Sequence, residues 1–236
     1  DIMSFRRYGS MFQGHPHRLK TPGVEVSSGS LGQGLGIAVG AALAARLAGR
    51  PSRMYCIMGD GEQQEGSVWE AAMAAGHFGL DNLCAIVDRN GLQIDGRTRD
   101  VMSLEPLEDK YRSFGWHVVT CDGHDMGQIL AAFDEAAKTK GKPTVIVANT
   151  VKGKGVSFME DQAGWHGVPT KTREQLDQAL ADVGAEGFTA DVVDAFIAAS
   201  DAFAGRTAAV VDDLVPRFSR DYWWNTGSTM RVDMDP

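Results

Sequence analysis

Four short apolar runs, separated by segments with helical periodicity, constrain the fold of this chain most strongly. The runs lie at 54–58, 83–87, 116–121 and 144–148, and glycine or polar residues bound them. The run at 54–58 is uninterrupted, which is typical of a strand buried on both faces of a parallel sheet, and the other three are predicted as further strands of that sheet. The alternation of strands and helices therefore predicts an α/β fold, with a parallel twisted sheet and helices on both of its faces.

Helical patterns fill the segments around these strands. They predict helices at about 34–47, 67–78, 107–114, 126–139, 173–183 and 191–203. Weak periodicity at 1–26 predicts a short helix followed by a loop, and 88–103 predicts a long loop. From residue 219 the chain is irregular, and its adjacent Trp223 and Trp224 indicate either a binding surface or linker packing. We therefore expect one domain over 1–218 and a linker or interface tail over 219–236.

Composition and charge exclude several classes of function. The chain has 236 residues, with 23 Lys and Arg against 31 Asp and Glu, so its formal net charge is −8, which argues against nucleic acid as a partner. No apolar stretch reaches the roughly 18 residues of a membrane span, so we expect no membrane partner. Cys56, Cys84 and Cys121 lie in apolar runs without CxxC spacing, which predicts reduced core cysteines in a cytoplasmic protein. Because the chain begins with Asp1, we expect further residues upstream.

Polar residues follow the first two predicted strands at the points where those strands end. Gly59-Asp60-Gly61 comes after the first strand, and Asn90 follows the second. In an open parallel sheet, ligands bind beyond the carboxyl ends of the strands. A carboxylate, an amide oxygen and a loop carbonyl such as that of Leu92 are hard ligands that suit Mg²⁺, with phosphate oxygens and water completing the shell. Glycines let a bulky anion approach the backbone, and the next helix N-terminus favours phosphate. A simple turn is the alternative, and Asn90 argues against it.

A wider set of motifs resembles one known family. The spacing from Gly59-Asp60-Gly61 to Asn90 is similar to the thiamine diphosphate signature, and the full set resembles the N-terminal domain of transketolases. The resemblance runs from about residue 9 to about residue 167 and includes Gly14-His15-Pro16, Pro22-Gly23-Val24-Glu25, Gly29-Ser30-Leu31-Gly32-Gln33-Gly34, Gly59-Asp60-Gly61-Glu62-Gln63-Gln64-Glu65-Gly66 and Ile94-Asp95-Gly96.

The resemblance implies two cofactors, thiamine diphosphate and Mg²⁺ or Ca²⁺. It implies metal binding by Asp60, Asn90 and the Leu92 carbonyl. It also implies that the backbone of Gly61 contacts the diphosphate and that the backbones of Gly29 and Leu31 line the aminopyrimidine side. The remaining cofactor-binding positions that it implies are Ser30, Gly59, Glu62 and His166.

The resemblance further implies three catalytic residues. His15 would hydrogen-bond the sugar donor near its C1 hydroxyl, and His166 would contact the diphosphate and the reacting sugar oxygen. Glu65 would lie in a charged network between two cofactor-binding domains. Imidazoles transfer protons well near pH 7, and both histidines have glycine or proline neighbours in predicted loops. Lys152 and Lys154 could attract a phosphate, although a solvated loop is an equally good interpretation.

This sequence departs from the family pattern after Gly-His-Pro, where His17 and Arg18 stand in place of an acidic residue. The change alters the charge near the expected donor channel. The family's upstream histidines and its second domain, which carries the glutamate that activates the cofactor, are not within these 236 residues. We therefore expect a complementary C-terminal half, either as a separate subunit or as part of a longer chain, and a homodimer or an α₂β₂ heterotetramer.

The expected function is the N-terminal half of a transketolase in carbohydrate (pentose phosphate) metabolism. Such an enzyme transfers a two-carbon ketol unit from a ketose or ketose phosphate to an aldose or aldose phosphate. One alternative is another thiamine diphosphate enzyme, such as a deoxyxylulose phosphate synthase or a keto-acid dehydrogenase component. The other is a non-catalytic interaction protein that keeps the fold.

Overall fold

A parallel sheet organises the part of the chain that the computed structural model describes, residues 4–184. The strands are β1 (Met54–Gly59), β2 (Leu83–Arg89), β3 (Leu92–Gln93), β4 (Gly96–Arg97), β5 (His117–Asp122) and β6 (Thr144–Asn149). The helices are α1 (Gly34–Leu47), α2 (Gly66–His77), α3 (Thr98–Val101), α4 (Leu107–Ser113), α5 (Met126–Lys138) and α6 (Arg173–Asp182). The predicted helix at 191–203 and the tail from residue 219 lie outside the described residues.

Four strands pair in the order β1-β2-β6-β5, and all three pairings are parallel. This confirms the predicted α/β class. The register aligns Gly59 with Asp88 and Arg89 with Asn149, so the carboxyl ends of β1, β2 and β6 meet at one edge. The sheet order therefore determines which polar loops lie next to one another.

Helices cover both faces of the sheet. On one face, Ala132 and Ala136 of α5 pack in a buried cluster with Cys84, Cys121 and Ile146. On the other face, α1 packs closely against β1, and a Cβ on its Gly34 would lie 3.3 Å from Cys56 Sγ. The three cysteines are buried and unpaired, as predicted.

Both edge strands, β1 and β5, differ from the prediction of burial on both faces, and Cys121 is the one buried residue of β5. Met54, Cys56 and Met58 of β1 are buried, but Tyr55 and Ile57 are 55% and 77% exposed. Within the described residues β1 is an edge of the sheet, and α5 packs mainly on β5 and β6 and reaches β1 through Phe133, whose ring centroid lies 5.8 Å from that of Tyr55. The sequence shows that the side chains of a strand are apolar. Whether they are buried depends on which helix packs over them.

Two further predictions need correction, the long loop at 88–103 and the short helix within 1–26. The segment at 88–103 is not a plain loop, because β2 extends to Arg89 and the β3–β4 hairpin and α3 follow. Residues 4–26 contain turns and bends and no α-helix. Gly9 and Gly23 there have φ of +82° and +81°, in the left-handed region that a right-handed helix excludes.

The described residues divide between two compact units, residues 4–29 and Ser30–Gly184. The first unit includes the Gly-His-Pro segment, and the second includes the sheet. Within residues 4–184, no helix has both the length and the apolar character needed to cross a membrane.

Candidate functional site

Asp60 lies at the carboxyl end of β1 and is almost completely buried. Its Oδ1 accepts a hydrogen bond from Gly61 N at 2.8 Å, and its Oδ2 accepts one from Gly91 N at 2.7 Å. Burial raises the pKa of the Asp60 carboxyl and nearby Asp88 adds to this, while the two N–H donors act in the opposite direction. The carboxylate therefore ties the turn after β1 to the turn after β2.

Asn90 and Leu92 lie in that second turn. Asn90 Oδ1 accepts a hydrogen bond from Leu92 N at 3.0 Å, and Gly91, with φ of +74°, connects the two residues. The turn that contains Asn90 lies next to Asp60, because the Gly91 N–H donates to the Asp60 carboxylate. Their roles as metal ligands stay a prediction.

Glu62 joins the same turn to the glycine-rich loop that precedes α1. Its Oε1 accepts a hydrogen bond from Gly32 N at 2.8 Å, and its Oε2 accepts one from Gly59 N at 3.1 Å. Ser67 Oγ donates to Gly32 O at 2.9 Å, so both backbone groups of Gly32 are engaged. Both carboxylate oxygens of Glu62 accept hydrogen bonds from backbone N–H groups, which suits a positioning role better than direct contact with a ligand.

Gly32 is required where it stands. Its φ is +82°, and a Cβ on it would lie 2.7 Å from both Glu65 Cβ and Ser67 Oγ. Glu65 begins α2 as its N-cap, is exposed, and its carboxylate has no hydrogen-bond or ion-pair partner among residues 4–184. The role of Glu65 in a charged network with another domain stays a prediction.

A network of hydrogen bonds centred on the buried Gln63 holds the Gly59-Asp60-Gly61 turn in place. Gln63 is fully buried, its Nε2 donates to Gly59 O at 3.1 Å, and its Oε1 accepts from Tyr111 Oη at 2.6 Å. Trp69 Nε1 donates to Gln63 O at 2.8 Å. Burial is the main cause that raises the pKa of Tyr111, so its hydroxyl stays protonated and keeps donating. Sequence reasoning missed Gln63 and Tyr111, because nothing local links residues 48 positions apart.

In the smaller unit, His15 lies against Gly29. Gly29 has φ of +120°, and a Cβ on it would lie 2.5 Å from the imidazole Cγ of His15. The structure therefore brings together two residues predicted to contact the donor sugar and the cofactor. Ser30 and Leu31 begin the larger unit with exposed side chains.

The loop after β6 starts next to the site. Thr150 N donates to Arg89 O at 3.1 Å, and Thr150 Oγ1 donates to the Asp88 carboxylate. His166 follows a short 3₁₀ turn (Ala163–Trp165) further along this loop. Its Nδ1 is buried without a hydrogen-bond partner in the described structure. Burial lowers the pKa of the imidazole, and the charge of Lys152 lowers it further.

The ligand chemistry of these residues fits a hard divalent cation. No group of three His, Cys, Asp or Glu side chains that could hold a metal occurs within residues 4–184. One buried carboxylate beside an amide and a carbonyl is instead the sparse oxygen set that Mg²⁺ shares with phosphates. The Gly61 N–H donates to Asp60, so the predicted contact of Gly61 with diphosphate stays a prediction.

A parallel α/β sheet with a glycine-bounded carboxylate and a partnerless imidazole in the loops after its strands defines a cofactor-binding domain. Comparison with protein families matches residues 1–207 to "Transketolase, thiamine diphosphate binding domain". This chain belongs to that family.

Individual relatives agree with the family match. The chain is 46% identical over 184 residues to the 6-deoxy-6-sulfo-D-fructose transketolase subunit SqwG of Clostridium sp. (strain MSTE9), which covers 78% of this chain and 66% of the relative. It is 48% identical over 177 residues to one of the subunits of the apulose-4-phosphate transketolase of Phocaeicola vulgatus, which covers 75% and 62%. The chain thus spans less than two thirds of the length of these relatives.

A solved structure shows the same fold. The transketolase of Leishmania mexicana superposes with a TM-score of 0.73 at 35% identity, over 92% of this chain and 35% of that one. The match covers about a third of that longer chain.

Proposed function

We propose that this chain is the diphosphate- and metal-binding half of a transketolase, which transfers a two-carbon ketol unit from a ketose or ketose phosphate to an aldose or aldose phosphate. The observation that carries the proposal is the Asp60 carboxylate, buried where two parallel strands end and bonded to the turns after both. The family match and the names of the relatives, which are transketolase subunits, support it.

The residues at the strand ends would hold the cofactor. Asp60, Asn90 and the Leu92 carbonyl would bind Mg²⁺ or Ca²⁺, and the metal would bind the diphosphate. When bound, thiamine diphosphate supplies the carbanion chemistry of ketol transfer. Glu62 would keep Gly32, and with it the loop at 29–34, in position beside the Gly59 turn. This loop would line the aminopyrimidine side.

Two imidazoles would handle the protons and oxygens of the sugar. His166 has a free Nδ1 and a lowered pKa, so it is neutral near pH 7 and able to accept or donate a hydrogen bond. His15 would contact the donor near its C1 hydroxyl. Glu65, whose carboxylate is without a partner in the described structure, would contribute to the network with the complementary domain.

A complementary C-terminal half completes the proposed enzyme. The relatives named as subunits support a partner chain, and the long solved transketolases support a second domain. We propose a homodimer or an α₂β₂ heterotetramer in the cytoplasm.

The first test is metal-dependent cofactor binding in Asp60→Asn. Both Asp60 oxygens accept backbone N–H groups, so the amide NH₂ would oppose a donor and the metal would lose its charged ligand. We expect thiamine diphosphate binding in the presence of Mg²⁺ and the complementary half, measured by calorimetry, to weaken by about 100-fold or more. Asn90→Ala removes a half-buried side chain and should weaken it by at least about tenfold.

Asp81→Asn is the matched control. The Asp81 carboxylate also accepts a hydrogen bond from a backbone N–H, that of Gly141 at 3.0 Å. Asp81 precedes β2, however, and so lies at the amino ends of the strands, away from Asp60. It should bind the cofactor like the wild type. Circular dichroism of each variant checks the fold, and unchanged affinity in a folded Asp60→Asn protein would refute the proposed site. Product analysis with a ketose donor, compared with pyruvate, tests the reaction itself.

A further inference from the structure

An ion pair joins two segments that the proposed function uses separately. Arg97 Nη2 lies 2.7 Å from Asp161 Oδ2, and Arg97 Nη1 donates to Asp161 Oδ1 at 3.4 Å. Arg97 belongs to β4, and the register of the hairpin pairs it with Leu92 of β3. Asp161 belongs to the loop that leads from β6 to His166. The pair therefore links the turn of the proposed metal ligands to the loop of the proposed proton-handling histidine.

Asp161 is fixed to its own loop by the backbone. Its N–H donates to Lys152 O at 2.9 Å, and its φ is +56°, in the left-handed region that residues other than glycine rarely adopt. Gly153, with φ of +71°, packs so tightly that a Cβ would lie 2.7 Å from Met159 O. The backbone hydrogen bond from Asp161 to Lys152 thus closes the loop from 152 to 161. A displacement of Asp161 would therefore also displace Lys152.

Lys152 in turn acts on His166. Its charge is one of the two causes that lower the pKa of the imidazole, so its ammonium lies within electrostatic reach of the ring. A change in the position of Asp161 would therefore alter the surroundings of His166. The carboxylate of Asp161 also has its pKa lowered by Arg97, which keeps the pair charged at neutral pH.

Exposure indicates that the pair acts locally and adds little to global stability. The two side chains are 44% and 46% exposed, and ion pairs at this exposure contribute little to the free energy of unfolding. Two N–H groups on two carboxylate oxygens nevertheless fix a direction. Such a pair selects one position of a loop without stabilising the whole domain.

We propose that Arg97 and Asp161 are positioning residues, which hold the loop of Lys152 and His166 in register with the hairpin that carries Leu92, so that both segments meet the diphosphate together. The inference rests on the proposed function and deepens it. It assigns to the cofactor site two residues that do not themselves touch the ligand.

The test uses the intact protein with its complementary half and four variants. Arg97→Ala removes the cation. Asp161→Asn removes the anion but keeps a residue that tolerates positive φ. Arg97→Lys keeps the cation and leaves Asp161 unchanged at its positive φ. Arg99→Ala is the matched control, because Arg99 pairs with Asp100 at 3.4 Å, just beyond the same hairpin, without reaching the loop.

We expect Arg97→Ala and Asp161→Asn to weaken thiamine diphosphate binding at fixed Mg²⁺ about tenfold. Amide hydrogen exchange over 151–166, measured without cofactor, should become faster in both. Arg97→Lys should keep much of the affinity, and Arg99→Ala should match the wild type. The difference between wild type and the two weakened variants should shrink in about 1 M salt, which screens exposed pairs.

Two different failures can be told apart. Wild-type protein that does not bind thiamine diphosphate with Mg²⁺ would overturn the proposed function and this inference with it. Wild-type protein that binds, together with Arg97→Ala and Asp161→Asn proteins of unchanged affinity and exchange, would overturn the positioning role alone. Faster exchange with unchanged affinity would also overturn it, because the pair would then hold the loop without serving the cofactor.

Discussion

At the residue scale, His166 combines a buried, partnerless Nδ1 with a lowered pKa. Burial is the larger cause and the charge of Lys152 the smaller one. Because the folded-state pKa lies below the unfolded value, the unfolded chain takes up its proton first as the pH falls below about 6.5. This residue therefore contributes less to stability under mildly acidic conditions, and its imidazole is neutral near pH 7.

Lys152→Ala should raise the pKa of His166, but only part of the way to its ordinary value, because burial remains. Histidine Cε1–Hε1 spectra recorded through a pH titration measure this directly. Lys154→Ala is the control, since the Lys154 ammonium pairs with Glu160 at 3.3 Å and is not among the causes of the His166 shift. An unchanged His166 titration in Lys152→Ala would show that the lysine charge does not reach the ring.

At the element scale, α2 lies close to the segment between α4 and β5. A Cβ on Gly76 would lie 1.9 Å from Phe114 O, and Trp116 Nε1 donates to Ala72 O at 2.8 Å. Glycine therefore occupies the last turn of α2 because the backbone of the neighbouring segment leaves no space for a side chain. Since α2 follows the Gly59-Asp60-Gly61 turn, this packing also helps to place the site.

Gly76→Ala should lower the free energy of unfolding by roughly 1–3 kcal/mol or more, because the added methyl group forces the helix and the Phe114 segment apart. Gly36→Ala makes the same chemical change in α1, where a Cβ meets nothing within 4 Å. That variant should gain about 0.5–1 kcal/mol from helix propensity. Urea unfolding measures both, and a Gly76→Ala protein as stable as Gly36→Ala would contradict the close packing.

At the scale of the whole molecule, the larger unit leaves several apolar or charged groups exposed. Tyr55 and Ile57 are exposed on the sheet, and Leu31 is 58% exposed. The Glu65 carboxylate is exposed and has no hydrogen-bond or ion-pair partner within residues 4–184. The chain also spans less than two thirds of the curated relatives described above. The exposed groups are available to the complementary half proposed above.

We expect native mass spectrometry with thiamine diphosphate and Mg²⁺ to show one cofactor and one metal per site when the complementary transketolase half is present. The chain without that half should bind the cofactor far more weakly, because the proposed site lies between domains. Tight binding by the isolated monomer would contradict the need for a partner. No cofactor in either sample would contradict the proposed site.

The sequence alone predicted the elements well because their signals are local. The helix predicted at 34–47 occurs as Gly34–Leu47, and the four strand predictions agree within two residues at either end. The pairing of Asp60 with the turn at Asn90 was also predictable, since consecutive strands joined by one helix lie side by side. The family resemblance rested on the same ordered motifs, and the family match over residues 1–207 confirms it.

Tertiary structure decided the features that join distant residues. Tyr111 meets Gln63 and Arg97 meets Asp161 only because the strand order β1-β2-β6-β5 folds their segments together, and no periodicity or motif marks either pair. The open face of β1 has the same origin, since Tyr55 and Ile57 are as apolar as their buried neighbours. Local sequence determines which residues form a strand or helix, whereas burial, hydrogen-bond partners and loop positions depend on which elements the whole chain brings into contact.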